Sequence, residues 1–208
     1  MRGYYFITDN AMSRKGNLSD VRSALRAGVK IIQYRDKSAT TSELFREAKS
    51  LKDLCKKKSA RFIVNDRLDI ALAVDADGLH IGQDDLPYSV ARKLLGRNKL
   101  IGVTVHSLFE AKDAQCQGAD YLGVAPVFAS TTKIDAGRVC GVDLIRKIKS
   151  KVKIPVIAIG GINLSNAKEV VSAGADGLCA ISAVITKRNV NQEIKKFQAL
   201  FKSSRKGV

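Results

Sequence analysis

The 208 residues carry 45% hydrophobic and 27% charged side chains, the balance of one folded domain rather than a disordered chain. No run is long and apolar enough to cross a bilayer, and residues 1–10 lack a basic segment followed by an apolar stretch, so a cytoplasmic protein is expected. The formal charge of +16 would suit nucleic acid, an anionic membrane or small anions.

The cations concentrate at 49–58, 92–99, 146–153 and 195–206, stretches that read as solvated helix faces and a tail. There is no tryptophan and no aromatic platform for bases among them, so neither nucleic acid nor membrane is expected as a partner. A homo-oligomer is compatible with the sequence. Cys55, Cys116, Cys140 and Cys179 form no C-x-x-C pair and read as reduced, structural or incidental thiols.

In chain order, the first short apolar run is Tyr4 to Thr8. The next, Ala27-Gly28-Val29-Lys30-Ile31-Ile32-Gln33, opens a repeat of helix end, turn and strand that recurs at 75–81, 118–124 and 174–181. Between the repeats lie further strand-length runs, Arg61 to Asn65, Leu100 to Thr104 and Pro155 to Ile159, giving eight strands in all. Helical spacing fills the gaps, as at Leu44, Ala48, Leu51 and Leu54, at Ile145 and Ile148, and at Val170 and Val171 before Gly174. Strands alternating with amphipathic helices imply parallel pairing, and eight such units imply a closed (β/α)8 TIM barrel, an α/β fold spanning 1–208 as a single catalytic domain. An open doubly wound sheet would place a glycine-rich turn after its first strand, and Thr8-Asp9-Asn10 is not one.

A barrel of this type works at the C-terminal ends of its strands. After the second strand, Gln33, Arg35 and Lys37 alternate onto one face while Tyr34 and Asp36 point away. A guanidinium fork, an ammonium and an amide suit phosphate oxygens; a solvated strand end is the other reading. The third strand ends in Asn65-Asp66 and the fourth in Gly82-Gln83-Asp84-Asp85. Neighbouring strands lie about 5 Å apart, so Asp66 and Asp85 could share one magnesium completed by substrate oxygens and water. A helix cap at Asp66 and an acidic turn before Pro87 are the alternatives. His80 lies inside its strand, where a buried packing role is expected.

The longest loop, 125–141, places Ser130, Thr132 and Lys133 as anion ligands in a candidate lid. Gly160-Gly161-Ile162 after the seventh strand and Ile181-Ser182 after the eighth offer backbone amides to a phosphate, although a tight turn alone would explain the glycine pair.

Taken together, Gln33-x-Arg35-x-Lys37, Asn65-Asp66, His80-Ile81-Gly82-Gln83-x-Asp85, Thr132-Lys133, Gly160-Gly161-Ile162 and Ile181-Ser182 resemble the thiamine-phosphate synthase family over nearly the whole chain. The resemblance implies a magnesium-dependent transferase. It would join 4-amino-5-hydroxymethyl-2-methylpyrimidine diphosphate to 4-methyl-5-(2-phosphoethyl)thiazole, releasing thiamine phosphate and pyrophosphate. By the same resemblance Gln33, Arg35, Lys37, Asn65 and Lys133 would hold the pyrimidine diphosphate, and Asp66 and Asp85 the Mg2+. Gly161, Ile181 and Ser182 would take the thiazole phosphate, lined by Ser130 and Thr132, while Lys133 and Thr104 would stand at the reacting bond. Thr104 replaces the family's usual serine, Ser130 a usual threonine, and Ala125 and Ala129 residues that are often Gly and Pro. Two other readings are a thiazole tautomerase of the same fold and a noncatalytic basic module that binds nucleic acid.

Overall fold

The computed structural model describes residues 1–129 and 138–203. Its strands are β1 (Gly3–Tyr4), β2 (Phe6–Ile7), β3 (Ile31–Tyr34), β4 (Arg61–Asn65), β5 (Gly78–Ile81), β6 (Leu100–Val105), β7 (Tyr121–Val124), β8 (Val156–Ile159) and β9 (Gly177–Cys179). Every pairing is parallel and follows chain order from β2 to β9. Closure comes from the first strand, which is in two pieces: β1 pairs β9 in register Gly3↔Gly177, and β2 pairs β3 in register Phe6↔Ile32. Tyr5 bridges the pieces and donates its N–H to the Leu178 carbonyl at 2.9 Å. The eight strands expected from the sequence are thus all present, and the sheet is a barrel.

Helices α1 (Asn17–Arg26), α2 (Thr41–Lys57), α3 (Leu68–Ala73), α4 (Tyr88–Leu95), α5 (Leu108–Gln117), α6 (Gly141–Lys149), α7 (Ala167–Ser172), α8 (Ser182–Ile185) and α9 (Val190–Ser203) follow the strands. Strand alternation divides the buried side chains between two cores. Phe6, Ile32, Phe62, Leu79, Ile101 and Leu122 pack outward with the helices' apolar stripes, among them Leu44, Ala48, Leu51 and Cys55 of α2. Tyr5, Ile7, Ile31, Ile63, Tyr121, Ile157 and Cys179 fill the barrel interior. All four cysteines are free thiols, Cys55 and Cys179 buried. Among the described residues no helix is long and apolar enough to cross a membrane.

The repeat has a physical cause at the closed end of the barrel. Asp77, Asp120 and Asp176 stand at one repeat position, directly before β5, β7 and β9. Each carboxylate accepts the backbone N–H that opens the preceding strand region: Phe62 at 2.7 Å, Ile101 at 2.7 Å and Val156 at 2.8 Å. Each also pairs with a cation from a flanking helix or its end: Lys52 at 2.9 Å, Arg92 at 2.6 Å and Lys149 at 2.7 Å. One aspartate therefore ties two strands and a helix together. The first copy has Lys30 instead, and only its backbone carbonyl reaches across, accepting from Arg61 N–H at 2.8 Å. Part of the basic surface is accounted for by these pairs.

Asp176→Ala leaves the Val156 N–H and the Lys149 ammonium without their acceptor. A loss of about 2–3 kcal/mol in unfolding free energy is expected, as for other groups left unpaired away from water. Urea unfolding measures it, and a change below about 0.5 kcal/mol would show that water replaces the carboxylate at this site.

Candidate active site

A cavity of about 300 Å³ opens at the C-terminal ends of the strands. One wall comes from the ends of β3, β4 and β5, where the backbone places its polar groups by alternation. Gln33 and Tyr34 show the rule: Tyr34 is buried in the outer core against Phe62, whereas Gln33 points into the barrel and donates to the Tyr5 hydroxyl at 2.8 Å. Two residues further on, Arg35 reaches the cavity, its guanidinium 3.8 Å from Asp9 and its backbone tied to Thr8 Oγ1 at 2.9 Å. Lys37 also lines the cavity, and its ammonium bonds Asp66. Asp36 turns away and caps the loop by accepting the N–H groups of Ser38 and Ala39.

Asp66 is held by an unusual backbone. With φ 58° it lies in the left-handed region, which aspartate tolerates better than most residues, and its N–H donates to the His80 carbonyl of β5 at 2.9 Å. The chain thus turns sharply off β4 and aims the carboxylate into the cavity. Asn65 Nδ2 donates to Asp66 Oδ1 at 2.7 Å. The helix-cap reading does not apply, since α3 begins at Leu68 with no side-chain cap. Asp85 lies in the turn after β5 and accepts the Gly82 N–H at 2.6 Å, so the acidic turn expected there exists and its carboxylate still lines the cavity. Burial pushes the Asp85 carboxyl above its ordinary range and the neighbouring charge of Asp66 adds to this, while the Gly82 N–H and Lys37 oppose it. A carboxyl whose proton affinity is raised by burial and by a neighbouring carboxylate marks a place where a cation is favoured.

That pair suits magnesium by its donor chemistry. Among the described residues no group of three or more His, Cys, Asp or Glu side chains forms a closed metal cage. Two carboxylate ligands, with the remaining positions left to water and phosphate oxygens, are how Mg2+ is commonly held.

The opposite wall is backbone. Gly160 and Gly161, at φ 98° and 63°, follow β8 in conformations that side chains rarely adopt. A Cβ on Gly160 would lie 2.7 Å from Pro126, and one on Gly161 only 2.4 Å from the Ala129 carbonyl. The glycine pair is required by the approach of the segment after β7. Ile162, Ile181 and Ser182 complete this side.

Of the residues singled out from the sequence, Arg35, Lys37, Asn65, Asp66, Asp85, Thr104, Gly161, Ile181 and Ser182 border one cavity. Gln33 is 2% exposed beneath it and is not part of its lining. Ser130, Thr132 and Lys133 lie outside the described residues. The cavity also takes in Gln83, Asp84, His106 and Cys179, which the strand-end pattern does not single out as ligands. Gln83 Nε2 donates to the Thr104 carbonyl at 2.6 Å, and His106 Nδ1 lies 2.6 Å from the Ala125 carbonyl. His106 had a legible signal, since it follows Thr104 by two residues and shares its face of the chain.

Residues 4–184 match the family model described as thiamine monophosphate synthase. The chain is 50% identical over 203 residues to the thiamine-phosphate synthase of Methanosarcina barkeri, covering 98% of this chain and 92% of that protein. To the thiamine-phosphate synthase of Chloroflexus aurantiacus it is 48% identical over 197 residues, covering 94% and 91%. Among solved structures, the thiamine phosphate pyrophosphorylase of Pyrococcus furiosus superposes with a TM-score of 0.89 at 43% identity, covering 97% of this chain and 96% of that one. The tautomerase and nucleic-acid readings find no support in these relatives.

Proposed function

The chain belongs to the thiamine monophosphate synthase family and is a transferase, a thiamine-phosphate synthase; from this premise we propose how residues 1–208 act as one cytoplasmic catalytic barrel. The acidic and cationic wall takes the pyrimidine diphosphate, and the glycine wall takes the phosphate of the thiazole. The observation that carries this reading is one cavity of about 300 Å³ bordered on one side by Arg35, Lys37, Asn65, Asp66 and Asp85 and on the other by the glycine backbone after β8.

Arg35 and Lys37 bind diphosphate oxygens, the first as a fork and the second as a point charge that leaves Asp66 for the substrate. Asn65 orients the pyrimidine end, and Asp66 and Asp85 hold Mg2+. The ion supplies Lewis-acid neutralisation of the diphosphate when bound. The C–O bond between the pyrimidine methylene and the diphosphate breaks, and its electron pair departs with pyrophosphate. Lys133 and Arg35 offset the growing negative charge, so leaving-group departure requires no protein nucleophile. The aminopyrimidine ring delocalises the positive charge on the methylene, and the thiazole nitrogen closes the new C–N bond. Gly161, Ile181 and Ser182 contribute by fixing the thiazole phosphate so that this nitrogen faces the methylene, a role the family resemblance extends to Ser130 and Thr132. Thr104 stands on the pyrimidine side of the reacting bond.

Purified protein incubated with both precursors and magnesium is expected to yield thiamine phosphate and pyrophosphate in equal amounts. Absence of both products would overturn the reading. Arg35→Lys is expected to raise KM for the pyrimidine diphosphate about tenfold while KM for the thiazole phosphate stays within about twofold, because an ammonium cannot replace two parallel N–H donors. Steady-state kinetics with each substrate varied in turn will tell; an unchanged pair of constants would remove Arg35 from contact.

A further inference from the structure

A chain of hydrogen bonds runs through the barrel interior and ends at the cavity. Gln33 Nε2 donates to Tyr5 OH at 2.8 Å, Tyr5 OH and Tyr121 OH are 2.7 Å apart, and Tyr121 OH lies 3.0 Å from His80 Nδ1. His80 Nε2 then lies 2.8 Å from Thr104 Oγ1, which lines the cavity. Gln33, Tyr5, Tyr121 and His80 are each no more than 4% exposed.

The barrel is shaped around this chain. Gly102 and Gly123 sit in the middle of β6 and β7, where glycine weakens a strand. A Cβ on Gly102 would fall 2.0 Å from the Tyr121 ring, and one on Gly123 3.1 Å from the His80 imidazole. Gly102 is needed to admit the Tyr121 ring, and Gly123 spares the imidazole the few tenths of an ångström of shift that a Cβ would impose.

The order of hydrogens along the chain follows from counting them. Gln33 presents its amide N–H, so Tyr5 must accept there. Tyr5 can then place its own hydrogen on Tyr121, Tyr121 places its hydrogen on His80 Nδ1, and the imidazole hydrogen sits on Nε2 and goes to Thr104. Each of the two phenol hydrogens and the imidazole hydrogen then has an acceptor in the chain. The opposite order would point both the Gln33 and Tyr121 hydrogens at Tyr5 and leave the Tyr5 hydrogen without an acceptor in the chain, which is costly at a buried site. Burial also raises both phenols well above their ordinary pKa, so they remain protonated donors.

We propose that His80, oriented by Tyr121, is a positioning residue that fixes the Thr104 hydroxyl as a hydrogen-bond donor to an acceptor nitrogen of the pyrimidine ring. This rests on the substrate assignment above. Threonine suits the task, since its branched side chain restricts rotation about χ1, and Gln83 holds its carbonyl in place. Thr104 contacts substrate in this reading, whereas His80 and Tyr121 act through it.

Two substitutions of similar polarity separate the halves of the imidazole. Gln at 80 reaches the place of Nε2 and keeps an N–H for Thr104; Asn at 80 reaches only the place of Nδ1 and keeps an acceptor for Tyr121. His80→Asn is expected to raise KM for the pyrimidine diphosphate about tenfold, with KM for the thiazole phosphate within about twofold, and His80→Gln to restore most of the loss. Thr104→Val should show the same selective rise, and His80→Asn should add little to it, because both remove one contact. Thermal unfolding of each variant is measured alongside. If the Asn and Gln variants are equally impaired, or both Michaelis constants rise together, His80 is only a structural residue and the proposal fails. If the wild-type protein forms no thiamine phosphate, the failure belongs to the substrate assignment instead.

Discussion

Replacing Asp85 with Asn is expected to lower kcat/KM by about a thousandfold, roughly 4 kcal/mol of lost transition-state stabilisation, and Asp66→Asn by a similar factor. The size follows from the donor set. A site with two protein carboxylates has no third ligand among the described residues to hold the ion when one is lost. Pyrophosphate must leave with a charge that cations alone offset less well. Raising magnesium should recover part of the activity of each variant, since the ion's affinity has fallen and the remaining carboxylate and the substrate still bind it. The pH dependence has a defined sign. In the metal-free protein the Asp85 carboxyl is pushed up by burial and by Asp66, so protons compete with the ion at a higher pH than they would for an ordinary aspartate. Magnesium affinity should therefore weaken as pH falls through that raised value, and ion binding should release protons. Titration calorimetry in two buffers of different ionisation heat reads the protons, and kinetics at varied magnesium reads the activity. Wild-type rates and magnesium dependence in both variants would remove these residues from the metal site.

The two aspartates are legible because Asp66 stands directly after a strand-length apolar run and Asp85 four residues after the next one, where a parallel barrel exposes its strand ends. Alternation was equally informative at Gln33, Tyr34 and Arg35, since a period of two leaves no freedom once one residue is buried outward. The repeat marked the strands, but its aspartates, Asp77, Asp120 and Asp176, gave no hint of their partners. Their backbone partners sit 15 to 20 residues upstream, beyond a helix, and their cations 25 to 28 residues upstream. The interior chain from Gln33 to Thr104 was less legible still. Tyr5 and Tyr121 are 116 positions apart, and alone each looks like an ordinary core aromatic. From the sequence alone His80 therefore reads as a packing residue. The available signal lay in Gly102 and Gly123, whose presence inside strands asks what fills the space above them. Such a question is answered by a ring from the next strand at Gly102 and from the next but one at Gly123, which local patterns do not specify.

Gly161→Ala is expected to lower kcat/KM for the thiazole phosphate about a hundredfold while KM for the pyrimidine diphosphate stays within about twofold. Two costs fall on the same atom. Alanine is strained at φ 63°, and its Cβ would lie 2.4 Å from the Ala129 carbonyl, so the loop or its neighbour must move. Neither partner is the flexible end of a side chain; both are backbone, and the displacement is carried into the wall that binds the monophosphate. The Asp66 and Asp85 wall hangs from β4 and β5, whereas Gly161 follows β8, on the other side of the barrel mouth. A strained loop there leaves the magnesium-diphosphate wall intact. Unfolding free energy should fall by about 1–3 kcal/mol, so kinetics belong well below the midpoint of thermal unfolding. Inorganic phosphate, as an inhibitor competing with the thiazole phosphate, should lose potency in parallel. If the variant instead loses affinity for both substrates equally, the two walls do not act as separate anion sites, and the division of labour across the cavity is wrong even though the reaction stands.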